Sequence, residues 1–212
     1  RFRELVPLSL PLTANRVLLG LLQGIEAVSI PGCLKLYNHS TSEALSTYGV
    51  LTGMALPCIL FPSAITNSVS IMLMPTVAEL QVKDQASGIR KLLQKVLGCC
   101  FLMGLFCCLF FLFFGQLIGQ FLFASDLAGN FIITLAWICP FLYVNGSLLS
   151  VLNGFGKTTT SFTINTVGLA IRIGSVFFAI PVFGIQGYLW GLLISQLAVS
   201  ICCSVEIGRA HV

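Results

Sequence analysis

Residues 48–79 are the stretch that most limits what this chain can fold into. They carry no charged side chain before Glu79, the last of them. A helix of about 20 residues crosses a hydrocarbon core about 30 Å thick, so the stretch is long enough to span a membrane. Pro57, Pro62 and Pro75 interrupt it, and each proline removes a backbone donor and kinks a helix. Because a carbonyl freed in hydrocarbon needs a new partner, we expect a kinked span packed against protein or beside a wet cavity.

The same stretch carries a polar stripe. Four small polar residues recur at the spacing of one helical face: Ser63, Thr66, Asn67 and Ser70. We favour the interpretation that this stripe faces an interior cavity. The alternative is that these side chains bond back to their own helix or hold neighbouring helices together.

The composition extends the membrane interpretation to the whole chain. Of its 212 residues, 57% are hydrophobic and 8% are charged, whereas a soluble domain carries about 25% charged residues. We therefore expect an all-α, polytopic membrane protein in contact with the lipid bilayer. The net charge of +4 does not indicate a nucleic-acid partner, because the positive residues flank membrane segments, where topology accounts for them.

Hydrophobic segments predict six spans, which cover about residues 6–30, 48–78, 96–114, 130–151, 162–180 and 188–205. Residues 79–95 are predicted to form an aqueous loop that leads into the third helix. With a cytoplasmic N-terminal end, seven basic residues fall on the inner side: Arg1, Arg3, Lys83, Arg90, Lys91, Lys95 and Lys157. Only Lys35 then falls outside, so this orientation follows the positive-inside rule.

The first predicted span contains four polar side chains: Asn15, Arg16, Gln23 and Glu26. At about 100° per residue they fall within one arc of about 100°. A charge at the bilayer centre costs at least about 2.5 kcal/mol on insertion scales, so these groups should face protein or water. Arg16 and Glu26 lie about 15 Å apart along the helix axis, so each needs a partner elsewhere or a ligand.

The fifth predicted span has a polar face of its own, which includes Asn165 and Arg172. A guanidinium group suits bidentate binding of phosphate or pyrophosphate, so Arg16 and Arg172 are candidates for ligand contact. The alternative is structural: each arginine pairs with a buried acid such as Glu26, or with carbonyls freed near a proline kink.

Motifs for catalysis, metals and cofactors are missing from the sequence. The nine cysteines lie mostly in apolar runs without zinc-ligand spacing, so they are interpreted as small apolar residues. The run NGFGKTTT has Val151 where a phosphate-binding loop requires glycine. Acid–base catalysis would need a second titrating group near Glu26. We expect no enzymatic activity, no cofactor and no metal.

Two further patterns lead to expectations about packing and chain ends. Four G-x-x-x-G spacings favour close helix packing: Gly20/Gly24, Gly49/Gly53, Gly115/Gly119 and Gly187/Gly191. Residues 206–212, EIGRAHV, resemble a translated sequencing adapter, and the chain begins with arginine. We therefore expect an internal piece of a longer protein that ends in a non-native tail at 206–212.

The pattern Y-G-x-L-x-G-M-A-L-P-x-x-x-F-P-S-x-x-x-N-x-x-x-x-x-L-M-P-x-x-A-E over residues 48–79 resembles the polysaccharide flippases of the stage V sporulation protein B type. These belong to the superfamily of multidrug, oligosaccharidyl-lipid and polysaccharide exporters, and the resemblance continues through NGFGKTTTSF to about residue 205. It implies that residues 1–205 form the C-terminal six-helix lobe of a two-lobe transporter, whose partner would be the missing N-terminal lobe of the same chain.

The resemblance also implies a function: translocation of a lipid-linked oligosaccharide or glycolipid precursor across the bacterial plasma membrane by alternating access. Arg16 and Arg172 would then meet the phosphates of the substrate. The full set of candidate substrate-binding residues is Asn15, Arg16, Gln23, Glu26, Asn67, Ser70, Asn165 and Arg172. The alternative is a cation-coupled multidrug extrusion transporter of the same superfamily, for which Glu26 is the candidate coupling acid. A membrane-embedded glycosyltransferase would require a longer loop with catalytic acids.

Overall fold

The computed structural model describes residues 2–37, 40–82 and 86–210, with side chains described over 17–37, 40–82 and 87–209. Over these residues the protein is helical, without strands. The helices are α1 (Phe2–Leu36), α2 (Thr41–Val50), α3 (Leu56–Leu60), α4 (Ser63–Val82), α5 (Ala86–Phe123), α6 (Asp126–Ala136), α7 (Cys139–Gly154), α8 (Thr158–Phe178), α9 (Ile180–Phe183) and α10 (Ile185–Ala210), with a π-helical turn, Leu51–Ala55, between α2 and α3. The all-α prediction is confirmed.

In the described part of the chain the helices form six rods: α1, α2 to α4, α5, α6 with α7, α8 with α9, and α10. Two buried apolar clusters show that successive rods run in opposite directions. One cluster, at the end that we call the upper end, joins the end of α1 to α2, α3, α6 and the start of α10. The other, at the lower end, joins α4 to the start of α5 and the ends of α7 and α10.

Length and composition support a multi-pass membrane protein. Within the described residues, five helical segments are long and apolar enough to cross a bilayer: Val17–Leu36, Thr41–Leu60, Ser87–Phe123, Thr158–Phe178 and Ile185–Arg209. The helices α6 and α7, bent by 55° at the break between them, form a sixth span if they are taken together. With the bent pair counted as one span, the number of segments agrees with the six predicted, but the second segment, Thr41–Leu60, begins and ends earlier than the predicted span at 48–78.

Several predicted boundaries were wrong. The aqueous loop predicted for residues 79–95 is largely helical, since α4 extends to Val82 and α5 begins at Ala86. Charged residues indicate contact with water but not a loss of helix, because arginine, lysine and glutamine favour helices. The loop between the first two spans is also shorter than expected, because Ser40 and Glu43 form a capping box that starts α2.

Of the three prolines predicted to interrupt residues 48–79, Pro57 and Pro62 lie beside irregular backbone whose groups are satisfied by protein, whereas Pro75 lies inside the continuous helix α4. Before Pro57 the helix widens into the π-helical turn, where the N–H of Leu56 donates to the carbonyl of Leu51. A second break lies at Phe61–Pro62, between α3 and α4. Just before it, the carbonyl of Ile59 accepts a 2.8 Å hydrogen bond from the hydroxyl of buried Tyr143 on α7. The kinked rod is thus bonded to the rod beside it.

Glycines allow close helix contacts at some of the predicted places. At Gly119 a side chain would collide with the backbone of Gly129 on α6, and at Gly187 it would lie 2.6 Å from the carbonyl oxygen of Ala179. In contrast, Gly20/Gly24 and Gly49/Gly53 face open space. Two of the four G-x-x-x-G spacings therefore mark tight packing in this structure.

The predicted tail begins inside a helix. The last helix, α10, continues through Ala210, and residues 211–212 lie outside the described residues. Lys157 Nζ lies 3.0 Å from Glu206 Oε1, and Ile207 is buried in the lower cluster. The non-native origin of residues 206–212 stays a prediction.

Candidate functional site

A buried ion pair joins the first rod to the fifth. Arg172 on α8 donates from Nε to Glu26 Oε1 at 2.9 Å, and its Nη2 lies 2.8 Å from Glu26 Oε2. Glu26 on α1 is only 3% exposed. The bidentate geometry is the strong form of an arginine–carboxylate contact. Of the two interpretations left open for Arg172, the structure shows pairing with Glu26.

A tyrosine from the sixth rod completes this cluster. The hydroxyl of Tyr188 on α10 donates to Glu26 Oε1 at 2.8 Å, and Arg172 Nη2 lies 3.5 Å from the same hydroxyl. Both carboxylate oxygens of Glu26 therefore accept hydrogen bonds, from two different helices. A buried charge requires such compensation, because its desolvation would otherwise exceed its Coulombic gain.

A second polar network connects α7 to α10. Asn145, which is buried, donates from Nδ2 to the carbonyl of Gln196 at 3.0 Å and to its side-chain Oε1 at 2.6 Å. Ser200 Oγ donates to Asn145 Oδ1 at 2.6 Å. Nearby, Ser195 Oγ donates 2.7 Å to the carbonyl of Gly168, which fixes α8 against α10.

Between these two networks lies an open cavity of about 310 Å³, at the lower end of the size range of ligand pockets, about 300–1,000 Å³. Residues of α1, α4, α7, α8 and α10 line it: Leu19, Gln23, Asn67, Leu142, Asn145, Gly146, Leu149, Asn165, Gly168, Leu169, Arg172, Ser195, Gln196 and Val199. Seven polar side chains thus converge at this cavity, inside a largely apolar bundle.

Some residues of the polar stripe of α4 bond to helices, as one interpretation predicted, and one lines the cavity, as the other predicted. Ser63, Thr66 and Ser70 are buried and donate to carbonyls three or four residues earlier in the chain. Ser70 also lies 2.9 Å from the hydroxyl of Ser147 on α7, so it additionally joins α4 to α7. Asn67 is exposed and lines the cavity.

The predicted site residues are brought together in part. Gln23, Asn67, Asn165 and Arg172 line the cavity, and Glu26 lies behind Arg172. Ser70 is instead buried against Ser147. The side chains of Asn15 and Arg16 lie outside the described residues. Whether any of these residues contacts a substrate stays a prediction.

Sequence reasoning missed three residues of this region: Asn145, Gln196 and Tyr188. A signal existed for the two amides, because an asparagine or glutamine inside a predicted span needs a partner in hydrocarbon. Tyr188 lies at the predicted start of the sixth span. A tyrosine at the end of a span is typical of the membrane interface, so it did not indicate a site. Among the described residues, no group of three or more histidine, cysteine or acidic side chains could hold a metal ion.

Comparison with known proteins agrees with the resemblance over residues 48–79. The chain is 24% identical over 210 residues to "Stage V sporulation protein B" of Bacillus subtilis (strain 168), an alignment that covers 98% of this chain. The chain resembles this sporulation protein. It spans 40% of that relative's length. The predicted resemblance is thus confirmed as a similarity over almost all of the chain.

A second similarity is shorter. The chain is 26% identical over 93 residues to "Sporulation protein YkvU" of the same organism, covering 44% of this chain and 21% of that protein. No protein-family model matches the chain. No solved structure matches it either.

Proposed function

We propose that this chain is one six-helix lobe of a membrane transporter, which translocates a lipid-linked oligosaccharide or glycolipid precursor across the bacterial plasma membrane. The observation that supports this most is the polar cavity inside the apolar bundle. A head group that crosses a bilayer must exchange water for polar protein groups, while its lipid tail stays in hydrocarbon. The missing N-terminal lobe of the same chain would close the other side of the cavity, and rocking of the lobes would give alternating access.

The similarity to stage V sporulation protein B supports the same proposal at the level of the superfamily. The outer surface is consistent with it, since large apolar side chains such as Val28, Phe113 and Phe121 are more than three quarters exposed. Bilayer lipid would cover such side chains. We expect this transporter to carry out no catalytic step on its cargo.

The rival function is cation-coupled multidrug extrusion, with Glu26 as the coupling acid. The hydrogen bonds of Glu26 weigh against it, because both carboxylate oxygens are already occupied by Arg172 and Tyr188. A sodium ion or proton would have to displace a bidentate guanidinium, which is costly for a buried pair. This arrangement disfavours transport that is driven by an ion bound at Glu26.

The test is transport by the complete protein in proteoliposomes. A fluorescent lipid-linked oligosaccharide placed in the inner leaflet should become accessible to an impermeant quencher faster with protein than in empty liposomes. Fluorescent phosphatidylcholine serves as the control and should not cross. Recovered cargo should have an unchanged mass. Equal rates for both lipids, or no rate above that of empty liposomes, would contradict the proposed function.

A further inference from the structure

We infer that this cavity binds the uncharged glycan part of the cargo through neutral amides, and that the phosphate of the cargo is bound elsewhere. This inference rests on the proposed function and specifies which part of the cargo this lobe recognises. It departs from the expectation that Arg172 receives a phosphate.

The first support is a set of amides without protein partners. Gln23 on α1, Asn67 on α4 and Asn165 on α8 all line the cavity. Within the described part of the chain, none of these three side chains makes a hydrogen bond. Each carboxamide offers two donor hydrogens and an acceptor oxygen, which matches the mixed donor and acceptor character of sugar hydroxyl and acetamido groups.

The second support is that the wall of the cavity is held rigid behind these amides. Gln196 lines the cavity while its Oε1 accepts from buried Asn145, so its orientation is fixed by α7. Gly146 leaves space in front of Asn67, since a side chain there would lie 3.3 Å from Asn67 Oδ1. Preorganised polar groups in a mostly formed pocket are typical of specific recognition of small polar ligands.

The third support is the charge of the cavity. Among its lining residues with described side chains, the charged one is Arg172, and Glu26 compensates it through two contacts of 2.8 and 2.9 Å. A pyrophosphate placed here would meet a neutral pair and would lie close to a buried carboxylate, which repels it. An uncharged sugar has no such repulsion. At Arg172, charge complementarity therefore favours the glycan over the phosphate.

The test uses the complete protein in detergent and saturation-transfer difference NMR, which detects weak binding. The probes are N,N′-diacetylchitobiose, an uncharged disaccharide, and inorganic pyrophosphate. We expect saturation transfer to the disaccharide, with no displacement by an equal concentration of pyrophosphate. Asn67→Leu and Asn165→Leu should each weaken disaccharide binding roughly 2- to 10-fold, the value of one hydrogen bond.

The matched control is Asn130→Leu, because Asn130 is an exposed asparagine of α6 that does not line the cavity. It should leave disaccharide binding unchanged. The inference is overturned if pyrophosphate displaces the disaccharide, or if Asn67→Leu and Asn165→Leu bind like the control. Circular dichroism on each variant separates lost binding from lost folding. Failure of the proposed function is distinguishable, since wild-type proteoliposomes would then show no transport above empty liposomes or equal rates for both lipids.

Discussion

Glu26 and Arg172, separated by 146 residues in sequence, form a bidentate ion pair between the first and fifth rods. The pair holds α1 to α8 at the edge of the cavity, and Tyr188 extends it to α10. The same contact that fixes three helices also removes the free positive charge of Arg172 from the cavity. One interaction thus joins three helices of the bundle and, under the proposed function, would also disfavour binding of an anionic part of the cargo at Arg172.

Removal of one partner should destabilise the protein strongly. Arg172→Leu leaves the carboxylate of Glu26 buried without a counter-charge, and breaking a buried pair in this way costs about 3–5 kcal/mol. The double variant Glu26→Leu with Arg172→Leu should recover most of this loss, because no uncompensated charge remains. Thermal unfolding in detergent measures both effects.

The control for this prediction is the partly exposed pair of Lys157 and Glu206, whose side chains are 35% and 25% exposed. Lys157→Leu should cost no more than about 1 kcal/mol, as for other solvated pairs. Equal losses for Lys157→Leu and Arg172→Leu would contradict the structural role of the buried pair.

The hydroxyl of Tyr143 should stabilise the break between α3 and α4. Its 2.8 Å bond to the carbonyl of Ile59 satisfies a backbone group beside the break at Pro62. Tyr143→Phe leaves that carbonyl without the bond, at a cost of about 1–3 kcal/mol for a buried unsatisfied group. Tyr48→Phe is the matched control, because Tyr48 is half-buried and its hydroxyl makes no hydrogen bond among the described residues, so this change should have almost no effect. The melting temperatures of the two variants provide the measurement, and equal values would contradict a stabilising role for the Tyr143 hydroxyl.

The overall architecture followed from the sequence because hydrocarbon imposes simple requirements. Long apolar segments must form helices there, so the six spans and the all-α class could be predicted. The ends of the helices could not, because residues such as Arg90 and Lys91 are stable both in water and in helix. The helix α5 accordingly starts well before its predicted span.

The candidate site was predictable only as a set of separate faces. The faces of α1 and α8 carried polar side chains that needed partners, but a single sequence does not say which rods are neighbours. The contact between Glu26 and Arg172 was therefore one alternative among several. Asn145 and Gln196 belonged to segments where no polar stripe was evident, and their pairing depends on how α7 crosses α10.

A small side chain at position 104 should be required for the crossing of α5 and α7. A methyl group at Gly104 would lie 2.6 Å from the Cα of Pro140, which is backbone and cannot rotate away. Gly104→Ala should therefore destabilise the protein by about 1–3 kcal/mol through overpacking. Gly98→Ala on the same helix meets open space and should be neutral or slightly stabilising. Unfolding of both variants under identical conditions provides the measurement.

The orientation in the membrane can be tested with one cysteine at each end of the bundle. Ser42 at the start of α2 and Ser87 at the start of α5 are both exposed and lie at opposite ends. The basic residues Arg90, Lys91 and Lys95 follow Ser87 on α5. The positive-inside rule therefore predicts that this lower end faces the cytoplasm.

In intact bacterial cells, an impermeant maleimide should label Ser42→Cys directly and should label Ser87→Cys only after permeabilisation. The background is the complete protein in which Cys99, Cys202 and any exposed cysteine outside residues 1–212 are replaced by serine. The unsubstituted background protein is the control and should remain unlabelled in both conditions. The reverse pattern would place the upper end in the cytoplasm, and would mean that the basic residues of α5 do not set the orientation of this lobe.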